Sequence, residues 1–287
     1  MTKFEDAELC VLFEELNEHV DLEAVMLIGA KCRDIHQLRY RDTLPARTTE
    51  DVDLALAVDG WKPFETLREL FPSKSNAWQK LTIGSLPVDV VPFGTVERPP
   101  GTVASGKGWE MNVAGFQEVF DARVFFPLSN GMKIGIPTVP GFAALKLHAW
   151  LDRHSGGVFK DATDLALVLA WYEAEDEFLW DNFDEVEDED LIGETDRMAA
   201  AVLGRKVRQL LGPSAAAFLA DRFEEETNSE LDRFAENLTV QGERPLPFRR
   251  RRQQVSDLVG ALTPAQDQRG IYPAHAFAYQ PASITVG

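Results

Sequence analysis

Thr48-Thr49-Glu50-Asp51-Val52-Asp53-Leu54-Ala55-Leu56 is the stretch on which the reading of the fold turns. From 51 to 58 apolar residues recur at every second position, with Val52, Leu54, Leu56 and Val58 on one side. That period predicts a strand. Asp51 and Asp53 then share its other face. Two carboxylates held this close repel unless a cation sits between them. Mg²⁺ suits such a pair, because it takes hard oxygen ligands through one or two carboxylates and leaves positions for phosphates. A lone Asp-x-Asp also arises by chance on a solvated strand edge, so its surroundings decide.

Upstream, residues 24–28 form a short apolar strand that ends at Gly29, and a helix is expected from about Ala30 to Leu38. Backbone N–H groups at such a helix start can receive phosphate. Residues 5–20 place Leu9, Leu12, Leu16 and Val20 at helical spacing. Downstream, Asp59-Gly60 reads as a turn and 62–70 as a helix. Residues 80–83 and 88–91 read as strands meeting near Gly84-Ser85. Within Pro87-Val88-Asp89-Val90-Val91 a single acid interrupts an apolar strand. A buried carboxylate is costly unless it is paired or bound to metal. Three carboxylates on neighbouring strands beside a Gly turn are the geometry of metal-assisted phosphoryl transfer.

Residues 123–126 and 132–136 form a further strand pair around Asn130-Gly131. Pro137 and Pro140 precede a long apolar helix that Ser155-Gly156-Gly157 breaks, and 160–171 is the next helix. The chain beyond about 172 reads as helical and polar up to a tail from 263. The expected fold class is α/β (α+β): a mixed sheet with flanking helices over 1–137, a helical domain over 138–262, and a C-terminal tail over 263–287.

The 287 residues are 45% hydrophobic and 26% charged, which excludes a disordered or collagen-like chain. No apolar run approaches the roughly 18 residues of a membrane span, and the first residues show no signal-peptide pattern. Cys10 and Cys32 are too few for a disulfide framework or a Cys-based zinc site, so a reducing cytoplasm is expected. The net charge is −18, of which residues 171–240 carry −14. An acidic chain is a poor non-specific nucleic-acid binder. Basic residues nevertheless cluster, at Lys31, Arg33, Arg39, Arg41 and Arg47, at Arg205, Lys206 and Arg208, and at Arg249-Arg250-Arg251-Arg252.

The order Gly29-Ala30, Asp51-x-Asp53, Asp89 resembles the core of the DNA polymerase β-type nucleotidyltransferase superfamily. More narrowly, the chain is similar to the AbiEii/AbiGii (MenT-like) toxin nucleotidyltransferases of type IV toxin–antitoxin systems. The stretches that carry the likeness are 27–34, 47–53, 88–94, 111–116, 145–153 and 160–165, within residues 22–172. The resemblance implies an enzyme that transfers NMP from an NTP to a hydroxyl, with the 3′ end of tRNA as acceptor and an antitoxin as partner. It implies Mg²⁺, or Mn²⁺ in its place, on Asp51, Asp53 and Asp89, with Asp89 as third ligand or as base. It implies a nucleotide contact for Lys146 and an essential acid at Asp161, with Asp164 as the other choice. Gly29 and Ala30 would cradle phosphate. The superfamily has Gly-Gly or Gly-Ser in this turn, so the missing hydroxyl leaves backbone N–H groups, with Lys31, Arg33 and Arg47, to serve.

The residues also admit plainer roles. Lys146 could snorkel, although an internal Lys amid Leu145, Leu147 and Ala149 needs an anion. Asp161 and Asp164 could be acids at a helix N-terminus. His148 and His154 read as structural, and Trp61, Trp109 and Trp150 as packing residues. Two other functions compete. One is a nucleotidyltransferase acting on a small cationic molecule or a protein hydroxyl, which the acidic helical half favours. The other is a non-enzymatic scaffold, which has no need of three converging acids.

Overall fold

The computed structural model of the chain describes residues 4–41, 51–104, 110–174, 191 and 193–264. The opening helix α1 (Ala7–Asn17) buries Leu9, Leu12, Phe13 and Leu16. A one-turn 3₁₀ segment leads into β1 (Val25–Ile28), all four residues of which are buried. Such a run is what a central strand covered on both faces requires. The chain turns at Gly29 directly into α2 (Gly29–Arg41). Next come β2 (Val52–Val58), α3 (Lys62–Leu70), β3 (Lys80–Ile83) and β4 (Leu86–Gly94). After them lie a small separate pair, β5 (Thr102–Ala104) with β6 (Glu110–Asn112), and the short helix α4 (Phe116–Asp121). β7 (Val124–Pro127) and β8 (Lys133–Ile136) complete the main sheet.

The six strands run in the order β3-β4-β2-β1-β8-β7. β1 is antiparallel to β2 and parallel to β8, while β2 is parallel to β4. The two hairpins, β3–β4 and β7–β8, form the sheet's flanks. This is the expected mixed α/β architecture with helices both flanking and following the sheet. Sequence periodicity found all six of its strands. It did not find β5, β6 or α4, because three-residue strands and a six-residue helix are shorter than the period needed to reveal them.

Thr138 caps α5 (Val139–Arg153), its hydroxyl accepting a bond from the Gly141 N–H. Pro140 sits in the first turn, where its missing N–H costs nothing. After α6 (Lys160–Ala174) come α7 (Thr195–Glu224), kinked at Gly212 before Pro213, α8 (Asn228–Asn237) and α9 (Phe248–Gly260). The expectation of polar helices here needs correcting. α7 packs against α5, α6 and α9 and buries a run from Met198 to Gly204. The small residues Ala199, Ala200, Ala201 and Gly204 set this contact, with space behind Gly204 closed by the Leu258 carbonyl. One continuous core joins sheet and helices, from Leu9 to Leu262. It crosses the 137/138 boundary without a break.

Among the described residues no helix is long and apolar enough to cross a membrane. Cys10 and Cys32 are both free and buried.

Candidate functional site

The site forms where β1 ends and β2 and β4 run side by side. The parallel register sets Asp53 opposite Asp89, and the antiparallel register sets Ile28 opposite Asp53. Asp53 therefore lies between Asp89 and the start of α2. Gly29 makes this close approach feasible. Its φ is +66°, and a Cβ added there would lie 2.0 Å from Asp53 Oδ2. The turn at Gly29 thus lets the carboxylate lie flat against backbone at the N-terminus of α2, where Gly29 and Ala30 begin the helix.

Burial lifts the Asp53 carboxyl above its ordinary value. Lys146 opposes that shift, Asp89 adds to it, and Lys160 and Arg153 oppose it from farther off. Asp89 Oδ1 is buried and has no hydrogen-bond partner. Asp89 Oδ2 lies 3.3 Å from the Lys80 ammonium, which also approaches Asp51 Oδ2 at 3.1 Å. Burial works against the Lys80 charge, but Asp51 and Asp89 outweigh it and hold the ammonium above the usual lysine value.

Lys80 was not singled out from the sequence, yet the signal was there. The two-residue turn Gly84-Ser85 fixes the hairpin register, and counting back from it pairs Ile83 with Leu86 and Lys80 with Asp89.

A second cluster adjoins the first. Lys146 on α5 lies 2.6 Å from Asp164 Oδ2 and 3.1 Å from Asp161 Oδ1. Both acids come from the start of α6 and are almost wholly buried, Asp161 at 0% and Asp164 at 1% exposed. Asp164 also receives Arg33 Nη1 at 3.1 Å, and Arg33 in turn pairs with Asp34. Arg153 Nη1 stands 3.4 Å from Asp161 Oδ2 at the exposed end of the chain of charges. The anion that an internal Lys146 needs is thus supplied by the protein. Burial disfavours the Lys146 charge, and Asp164 and Asp161 more than restore it. The same burial pushes the neighbouring Cys32 thiol far up, so it stays protonated.

The remaining predicted residues fall elsewhere. Arg33 is 1% exposed and commits its guanidinium to Asp34 and Asp164, so it faces the network and presents no surface to a nucleotide. Lys31 reaches Glu8 on α1 at 3.5 Å. Arg47 lies outside the described residues, as does Trp109. Arg41 donates to the Ala170 carbonyl, and Arg39 stands over the Tyr40 ring. Arg39 and Lys206 border a separate cavity of about 260 Å³ among Tyr40, Trp171 and Val139, which none of the candidate acids lines. Three of the four arginines at the start of α9 are structural: Arg250 pairs with Asp196 and Glu194, Arg252 with Asp232, and Arg251 is buried against Gln254, while Arg249 is exposed. Among the described residues, the cations that border the acids are Lys80, Lys146, Arg153 and Lys160.

His148 and His154 are both buried, and each meets a neighbouring charge: Arg222 at His148 Nδ1 and Glu226 at His154 Nε2. Among the described residues the one His/Cys/Asp/Glu triad whose ligand atoms close to within 4.8 Å is His154, Glu226 and Glu230. Its geometry has a local cause, because Glu230 forms the capping box of α8 with Thr227 and His154 stacks on Trp150. Asp51, Asp53 and Asp89 do not close to that spacing. They nonetheless fit a hard divalent cation in donor chemistry: all are oxygen donors, and Asp89 Oδ1 is an orphaned buried acceptor.

No family model matches the chain, and no curated protein matches it in sequence.

Proposed function

We propose that the chain is a divalent-cation-dependent nucleotidyltransferase that moves NMP from an NTP to a hydroxyl, with an RNA 3′ end, tRNA in particular, as acceptor. The observation that carries this reading is the pairing of Asp53 with Asp89 on adjacent parallel strands, against the backbone turn at Gly29. Asp51, Asp53 and Asp89 would hold Mg²⁺ or Mn²⁺. Bound there, the cation would neutralise the triphosphate and favour attack at its α-phosphorus.

The chain's own groups supply the rest. Backbone N–H groups at Gly29 and Ala30, at the N-terminus of α2, would receive the phosphates. Asp89, whose Oδ1 has no donor, would serve as the third ligand or, in its place, as the base that takes the proton from the attacking hydroxyl. The new bond joins the acceptor oxygen to the α-phosphorus, and the bond to pyrophosphate breaks. Lys146, fixed by Asp161 and Asp164, holds positive charge beside Asp53. Arg153, half-exposed, and Lys160 add positive charge near Asp53. A role as the toxin of a type IV toxin–antitoxin pair, with a cognate antitoxin, rests on the resemblance alone.

Incubation of the purified protein with each labelled NTP, Mg²⁺ and total tRNA tests the reading. A labelled RNA band that disappears with Asp53→Ala supports it. Label on a small cationic molecule or on a protein, with none on RNA, moves the acceptor to the alternative class that the net charge of −18 favours. No transfer under any condition leaves the scaffold reading.

A further inference from the structure

We propose that Lys80 is a resident cation that occupies the divalent position between Asp51 and Asp89, so that metal binding requires its displacement. This deepens the nucleotidyltransferase reading and rests on it. The placement comes from backbone register. Lys80 and Asp89 are direct cross-strand partners, and Asp89 is the partner of Asp53 on its other side. Directly opposed residues of an antiparallel pair have Cβ atoms about 5 Å apart. The register therefore puts the Lys80 side chain on the same face as Asp89, within reach of its carboxylate. Here it lies 3.1 Å from Asp51 Oδ2 and 3.3 Å from Asp89 Oδ2.

Those distances explain a feature of the site. A Mg²⁺ ion draws its oxygens in to about 2.1 Å. An ammonium holds them roughly 1 Å farther out, at hydrogen-bond length. The Lys80 ammonium accordingly holds Asp51 Oδ2 and Asp89 Oδ2 wider apart than a shared Mg²⁺ would. Lys80 also relieves like-charge repulsion between Asp51 and Asp89, the two acids it touches. Its side chain is 29% exposed, so the ammonium can swing toward solvent, or toward a bound phosphate, without leaving a cavity. A divalent ion must then compete with a tethered, always-present cation, and its affinity for the free protein is reduced.

The test is direct Mn²⁺ binding, read from the loss of the free-ion electron paramagnetic resonance signal, on the full chain without nucleotide. Lys80→Gln and Lys80→Met should each bind Mn²⁺ at least tenfold more tightly than the parent protein. Lys80→Arg, which keeps the charge, should bind as weakly as the parent. Thermal melts should show all three variants folded, since Lys80 begins a strand at the sheet's flank and is part-exposed. Adding Asp53→Asn to Lys80→Gln should remove the gain. Equal or weaker Mn²⁺ binding by both neutral variants, with binding still lost on Asp53→Asn, overturns the role of Lys80 and leaves the metal site standing. Binding that survives Asp53→Asn, or no binding by any variant, overturns the metal reading and the proposal with it.

Discussion

Gly29 and Lys146 show how far single residues constrain this site. A methyl group on Gly29 would collide with the Asp53 carboxylate, and the backbone there has φ +66°. Gly29→Ala should therefore destabilise the fold by about 1–3 kcal/mol. Asp53→Ala alone should be neutral or mildly stabilising, since it removes one of several crowded negative charges. Denaturant unfolding of the double variant should recover at least about 0.5 kcal/mol of the Gly29→Ala loss, because the two residues are in contact. Strict additivity would mean that the two residues do not meet. Lys146 differs from what its sequence context suggests. Read as a nucleotide contact alone, it should be replaceable without loss of stability. Its ammonium instead satisfies Asp161 and Asp164, both buried. Lys146→Met should cost about 3–5 kcal/mol, the usual result of stripping a buried pair of one partner. An unfolding midpoint equal to that of the parent protein would contradict this.

The contact between α5 and α7 gives the element-scale prediction. His148 on α5 is held at a pKa of about 4, from an ordinary 6.5, by burial and then by Arg222 on α7, with Asp152 opposing. Arg222 donates to His148 Nδ1 at 3.1 Å and to Asp152 at 2.6 Å, which requires a neutral imidazole. The unfolded chain takes up the proton more readily than the folded one. The stability from this histidine is therefore complete above its unfolded pKa and is lost as pH falls from 6.5 toward 4. The full loss is about 3 kcal/mol, of which about 2 kcal/mol should be gone by roughly pH 5. Urea unfolding at pH 7 and pH 5 should show this drop. His148→Gln should be less stable at pH 7 but should lose less between the two values. A pH dependence unchanged by the substitution would assign the acid sensitivity to other groups.

At the scale of the whole molecule, the question is how a chain of net charge −18 meets a polyanion. In sequence, Lys31, Arg33, Arg39, Arg41 and Arg47 cluster between the Gly29 turn and Asp51. Folding sends Arg33 into the buried network and Arg41 to the Ala170 carbonyl, and puts Arg39 beside the separate cavity. Among the described residues, the positive charges acting on Asp53 are Lys146, Lys160 and Arg153. Under the RNA reading, neutralising Arg153 and Lys160 together should weaken RNA binding and reduce the slope of log affinity against log salt by about one to two. Arg39→Ala with Arg41→Ala should leave that slope unchanged. Filter binding at several salt concentrations distinguishes the two pairs, and the reverse ranking would move the RNA path to the other side of α2.

The sequence by itself determined the six strands of the main sheet and the acids on them. Alternation over 51–58, an apolar run ending at Gly29 and one acid inside an apolar strand are local patterns, and secondary structure obeys local periodicity. The same holds for the hairpin at Gly84-Ser85, where register follows from the turn and would have revealed Lys80. Tertiary structure alone decided which charges lie beside the acids. Arg33 finds Asp164 across 131 residues, and Arg222 finds His148 across 74. No spacing rule encodes partners so distant, because they meet only when α2, α5, α6 and α7 pack. Whether a charged side chain stays in solvent or is buried against a counter-charge is fixed by that packing, through the cost of leaving a buried charge unpaired.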